Sequence, residues 1–261
     1  ERERFRFCGE DAKVCWDAHR SAWRDIQEAA EEAYDRTPAC SFTSFVGYEY
    51  TASSDAGTNL HRNVIFRNEK VTDTAISWTE TGSAAKLWER LRSECLEGLP
   101  GCDVLTIPHN SNLSSNGLMF ASGTLRGKVD ANVPITADDA RARARFEPLI
   151  EIMQHKGDSE CLLGGDTTDE ACGFEKLPYD SFFGVGQGPA IRALLTPKGG
   201  GMVRTALRRG LALEQQLGAN PFKYGIVAST DTHLGTPGLT EDLAPSGHGA
   251  PGATAREGIP P

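Results

Sequence analysis

Apolar residues recur at Ala18, Ala22, Ile26, Ala29 and Ala33, close to a 3.6-residue period, which predicts a helix over residues 11–35 closed by Pro38. The pattern then changes period. Ser41 to Tyr50 alternates and is rich in aromatic residues (Phe42, Phe45, Tyr48, Tyr50), the signature of a strand. Asn63 to Arg67 reads as a second short strand. Residues 83–97 return to helical spacing, with Leu87, Trp88 and Leu91 on one face. Val104 to Ile107 is a buried strand stopped by Pro108. A polar, glycine-rich loop over 110–135 leads to a helix opened by Thr136, with Asp139 three residues on as a near capping box. Pro148 to Gln154 is a strand, Met202 to Leu217 a strong helix ending at Gly218, and Tyr224 to Ser229 the last strand. Residues 157–200 and the segment from Gly235 onward are irregular, and the first is too long for an ordinary connector. Repeated alternation of strand and helix predicts an α/β fold with a parallel sheet or barrel, and neither an internal repeat nor a second domain is visible.

Composition narrows the class. At 261 residues the chain accommodates one α/β barrel, read as a single domain over 1–261. Hydrophobic residues at 39% and charged residues at 24% describe a globular protein. The 28 glycines follow no G-x-y period, so they signal tight turns. A net charge of −9 argues against a nucleic-acid surface, and no run of 18 apolar residues predicts a membrane span.

The seven cysteines carry a message about compartment. Six form close pairs, Cys8/Cys15, Cys95/Cys102 and Cys161/Cys172, each across a loop-like or polar interval. Such loops bring two Cα atoms within bridging range, so three local disulfides and an exported, periplasm-like setting are expected. Reduced thiols in a cytoplasmic enzyme are the alternative. Zinc binding by these residues is disfavoured because no C-x₂-C pair occurs, and Cys40 has no nearby partner.

The candidate chemistry sits where strands end. Glu49 closes the first strand, His109 follows the strand ending at Pro108, Gln154-His155-Lys156 follow the strand at 148–154, and Asp231 and His233 follow the last strand. His61 instead precedes a strand. In an α/β barrel the C-terminal strand ends share one face, and that face holds the active site. Imidazole and carboxylate together suit zinc, manganese or iron. Asp231-Thr232-His233 is a D-x-H, and on an extended segment residues two apart point the same way.

Several longer motifs carry a resemblance. G-Y-E-Y at 47–50, N-L-H-R-N-V-I-F-R at 59–67, I-P-H-N-S-N at 107–112 and N-G-L-M-F at 116–120 are similar to the DUF3604 family. So are Q-H-K-G-D-S-E at 154–160, L-G-A-N-P-F-K-Y-G at 217–225 and A-S-T-D-T-H at 228–233. That family resembles the PHP-type (polymerase and histidinol phosphatase-like) metal-dependent hydrolases. The resemblance implies a distorted (β/α)₇ TIM-like barrel, two or three divalent metal ions (Zn, Mn or Fe) and hydrolysis of a small anionic substrate, phosphoesters first. It implies Glu49 as a bridging metal carboxylate, and His61 and His109 as metal ligands or phosphate-side contacts. Asp231 and His233 would be the late D-x-H pair of metal ligands, and Asp231, His233 and His109 would also be catalytic. Arg62, Lys156, Asn110 and Gln154 would be the substrate side. His155 falls where an apolar residue is expected, and His248 reads as a loop residue. The superfamily's opening H-x-H is missing, since no two of the six histidines are separated by one residue. With the start at Glu1 and the open Gly/Pro-rich end, this predicts an incomplete barrel truncated at both ends. Hydrolysis of C–N or other non-phosphate bonds, and a catalytically inactive metal-binding module, are the competing functions. Arg141, Arg143 and Arg145 alternate with alanine and read as a solvated helix face.

Overall fold

The computed structural model describes residues 6–53, 58–122, 124–125, 128–154, 157–174, 197–231 and 233. His155, Lys156, Thr232, His248 and the segments 175–196 and 234–261 lie outside the described residues.

The elements follow the sequence pattern closely in kind. Helix α1 spans Lys13–Ala33. Strands β1 (Gly47–Tyr50) and β2 (Arg62–Phe66) precede the short helix α2 (Trp78–Thr81) and helix α3 (Ala84–Leu91). Helix α3 runs into a π-helical turn at Arg92–Leu96 before β3 (Val104–Pro108). The short strands β4 (Thr124–Leu125) and β5 (Lys128–Val129) pair with each other. Helix α4 (Ala137–Phe146) carries a full capping box: the Thr136 hydroxyl accepts from the Asp139 N–H while the Asp139 carboxylate accepts from the Thr136 N–H. The sequence strand at 148–154 divides into β6 (Leu149–Glu151) and β7 (Met153–Gln154), and β7 pairs back onto β8 (Gly157–Asp158). Helix α5 (Val203–Leu217) stops at Gly218, whose φ of 68° supplies the left-handed cap that glycine adopts most readily. Strand β9 (Gly225–Val227) completes the order.

The strand directions differ from the all-parallel expectation. β1, β2 and β3 form one antiparallel sheet, while among the described strands β6 and β9 pair in parallel. The link between β1 and β2 makes the difference. Leu60 N–H bonds the Ala52 carbonyl at 2.9 Å and Ser53 bridges Asn59, so the chain turns back as a hairpin, leaving no room for a crossover helix. The fold is mixed α/β, with no closed barrel among the described residues.

Two hydrophobic clusters hold these sheets. On the antiparallel sheet, Val64, Phe66 and Val104 alternate inward and pack on Trp23 of α1 and on Leu87, Trp88 and Leu91 of α3. The tryptophans also satisfy their ring N–H groups, Trp23 on the Thr72 carbonyl at 2.8 Å and Trp88 on Thr106 Oγ1 at 3.3 Å. The second cluster gathers Met119, Phe120, Ala140, Ile150, Val203, Ala206 and Phe222 around the parallel pair. Helix α1 shows its faces reversed relative to the alanine repeat. Ala18, Ala22, Ile26, Ala29 and Ala33 face solvent, while Trp23 and Ala30 are buried, because the large indole offers far more apolar area than a methyl.

All three expected cysteine pairs stand at disulfide distance, with Cα–Cα separations of 5.0 Å for Cys8–Cys15, 5.2 Å for Cys95–Cys102 and 6.0 Å for Cys161–Cys172. Cys40 is free and exposed. No helix among the described residues is long and apolar enough to cross a membrane.

Candidate metal centre

Antiparallel pairing brings the first group of polar residues together. In the register Glu49 faces Asn63, Tyr50 faces Arg62, and Arg62 faces Pro108. The end of β1, the start of β2 and the end of β3 therefore share one edge. His61, one residue before β2, and His109, one residue after β3, lie side by side, and the His109 N–H reaches the His61 carbonyl at 3.4 Å. A strand start joins two strand ends only because β2 runs the other way.

The side chains then converge. Glu49 Oε1 lies 2.7 Å from His61 Nδ1 and 3.4 Å from His109 Nε2, and the two rings meet edge to face at 5.6 Å. One donor atom from each residue falls within 4.8 Å of the others. Ligands of one ion at about 2.0–2.2 Å in tetrahedral array sit roughly 3.3–3.6 Å apart, so this spacing suits a single cation. His109 is 1% exposed, and apart from the 3.4 Å contact of its Nε2 with Glu49 its ring nitrogens have no polar partner among the described residues. Burying an imidazole with so few polar partners is costly unless something else takes its lone pair. Two imidazoles and a carboxylate are the donor set of zinc, manganese or iron, so the residues fit a metal ion. Burial alone would raise the Glu49 carboxyl, but its contacts with His109 and His61 outweigh this and hold it well below the usual carboxylate range. A carboxylate kept ionised is the form that ligates.

A second group forms where the parallel pair ends. β6 and β9 run in register from Leu149↔Gly225 to Glu151↔Val227, and the Ser229 N–H bonds the Met153 carbonyl at 3.2 Å, so both segments leave the sheet together. Beyond them Asp231 Oδ1 lies 3.1 Å from His233 Nε2. The contact does not arise from an extended D-x-H: Asp231 has φ of 55°, and the left-handed turn brings its carboxylate to the imidazole. Asp231 and His233 stand outside the 4.8 Å group of Glu49, His61 and His109. The groups are joined through Asn110, which directly follows His109 and accepts a hydrogen bond from the Gln154 carboxamide.

The family model described as "Protein of unknown function (DUF3604)" matches residues 1–256. The chain belongs to the DUF3604 family. No curated protein and no solved structure matches it.

This DUF3604 chain uses its arginines differently from the sequence expectation. Arg62, expected on the substrate side, is engaged by groups of the protein itself. It is buried, bonding Glu147 Oε1 at 2.5 Å, the Leu60 carbonyl at 2.6 Å and the Met119 carbonyl at 3.2 Å. Arg143 is not part of a solvated face either. It is fully buried, reaches Glu147 Oε2 at 2.5 Å and the Ala121 carbonyl at 3.0 Å, and its guanidinium lies 5.0 Å over the Trp88 ring. Arg141 and Arg145 remain partly or fully exposed, paired with Asp138 and Asp103. Helical geometry gives the reason: residues two apart point about 200° apart, so the middle arginine must oppose the outer two. The Glu147 four residues after Arg143 was the readable sign of an inward pair.

Asn110 and Gln154 are both buried and bonded to each other. Sequence reasoning missed Asn59, whose side-chain oxygen accepts the His61 N–H at 3.0 Å and so fixes the backbone that carries the imidazole. An Asn two residues before a strand histidine is an Asx-turn signal. It also missed Glu151, a buried carboxylate at the end of β6.

Proposed function

We propose that this protein is a metal-dependent hydrolase of small anionic substrates, with phosphoesters first, acting at the strand-end face of a PHP-type barrel of which the described sheets form part. The observation that carries this reading is the convergence of Glu49, His61 and His109, with the His109 imidazole buried and its Nε2 3.4 Å from the Glu49 carboxylate. Glu49, His61 and His109 would hold one ion, and Asp231 and His233 would supply ligands to a second. A divalent ion in such a site lowers the pKa of bound water from about 15.7 towards about 7, which supplies hydroxide at neutral pH.

The protein's own groups do the rest. His109 closes the inner wall of the site and keeps bulk water from that side. Glu49 brings a fixed negative charge to the cation and stays ionised through the neutral range. The Asp231–His233 pair can pass a proton between the site and solvent, since Asp231 Oδ1 lies against His233 Nε2 and the imidazole is 44% exposed. The three cysteine pairs support an exported, periplasm-like location, where such bridges persist.

The test is a metal analysis joined to a substrate panel. Purified protein should hold divalent ions and hydrolyse p-nitrophenyl phosphate or a phosphodiester, and Asp231→Ala should abolish that turnover. Undiminished turnover in Asp231→Ala rejects its role. Turnover confined to amides moves the reading to C–N hydrolysis, and bound metal without turnover moves it to a metal-binding module.

A further inference from the structure

Gln154 sits where the two halves of the site meet. Its backbone is fixed by the β7–β8 hairpin, in which Gln154 faces Gly157, and its side chain is 2% exposed. The carboxamide nitrogen donates to Asn110 Oδ1, next to His109 at the end of β3, and to Asp231 Oδ2 at 2.8 Å beyond β9. Both acceptors lie on left-handed backbone, Asn110 at φ 54° and Asp231 at φ 55°, a conformation that crowds a Cβ and persists only where neighbours hold it.

We infer that Gln154 is a positioning residue: its carboxamide sets the Asp231 carboxylate against His233 and ties it to the strand end that carries His109. The chemistry is specific. Gln154 holds one carboxylate oxygen and so restrains rotation, and the other oxygen lies 3.1 Å from His233 Nε2. The job requires a donor on both sides. A carboxylate at position 154 would present oxygen to the oxygens of Asn110 and Asp231. A shorter amide would not span the gap between the strand ends. The inference rests on the metal-centre reading of Asp231, and it moves Gln154 from the substrate side to the support of the site.

The test is a double-mutant cycle on the full chain: wild type, Gln154→Ala, Asp231→Ala and the double variant. Mn²⁺ affinity is measured by calorimetry, and the urea midpoint is measured without metal. Gln154→Ala should weaken Mn²⁺ binding about 10-fold in the wild-type background, as loss of a ligand-orienting partner does, and less than about 2-fold when Asp231 is already alanine. Gln154→Asn, which keeps the amide but is one methylene shorter, should reproduce the weakening, and it replaces Gln154→Ala if that variant does not fold. Equal factors in both backgrounds, or no weakening in either, overturn the inference. A wild type that binds no Mn²⁺ removes the metal reading by itself. Gln154 is then judged on the metal-free midpoints, where non-additive shifts support positioning and additive shifts overturn it.

Discussion

The two halves of the site are built by different means. Glu49, His61 and His109 hang on a three-stranded ladder backed by the larger hydrophobic cluster, so main-chain hydrogen bonds set their spacing. Asp231 and His233 follow a two-stranded pair and are placed by side-chain bonds and a left-handed turn. A ladder is cooperative and indifferent to which side chains it carries. A chain of side-chain bonds fails when any one member changes. The first half is thus a preformed candidate ligand set, and the second is tunable by single residues.

The largest effect should come from breaking what joins them. Arg62 belongs to β2, while Glu147 and Arg143 belong to the end of α4 leading into β6. Glu147→Gln leaves two buried guanidinium groups without their counter-charge, and should cost about 3–5 kcal/mol by urea unfolding. A loss under about 1 kcal/mol would mean that the halves are held mainly by apolar packing.

The next effect separates the halves directly. His109→Ala should weaken Mn²⁺ binding by about 100-fold or more, against about 10-fold for Asp231→Ala, by calorimetry. Equal losses would erase the distinction between a preformed set and a tunable one.

The smallest effect is a pH dependence confined to the first half. The folded protein holds the Glu49 carboxyl below its ordinary value near 4.5. Its contribution to metal-free stability is therefore present above that value and is lost as pH falls through the lower folded value. Wild type should exceed Glu49→Gln in unfolding midpoint at pH 7, and the gap should narrow by about pH 3. A gap that widens on acidification contradicts the sign.

Much of this was legible along the chain, with gaps that have physical causes. Helix and strand periods marked α1, α3, α4, α5, β2, β3, β6 and β9 within a few residues and the end of β1, while α2 and the two-residue strands β4, β5 and β8 fell outside the predicted elements. Glu49 and His109 were found by their place at strand ends. His61 fitted no such rule, because strand direction is decided by pairing across the sheet, which period alone does not encode. The α1 alanines gave the right period and the exposed face, since a period counts positions and burial follows size. Arg62 was read as an anion contact because the family resemblance placed it on the substrate side. The partner that draws it inward, Glu147, is 85 residues away in sequence.

The cysteine spacing has a consequence for how the chain is made. Each bridge closes a short loop, with separations of 7, 7 and 11 residues. Chain closure becomes less favourable with loop length, so the thiol nearest in sequence collides first. For Cys8, Cys95 and Cys161 that nearest thiol is the native partner. Cys40 stands 25 residues from Cys15, so it competes poorly for any of them. Oxidation is therefore self-sorting: correct pairing can precede folding and needs little reshuffling by an isomerase, and the lone thiol is left over for kinetic reasons.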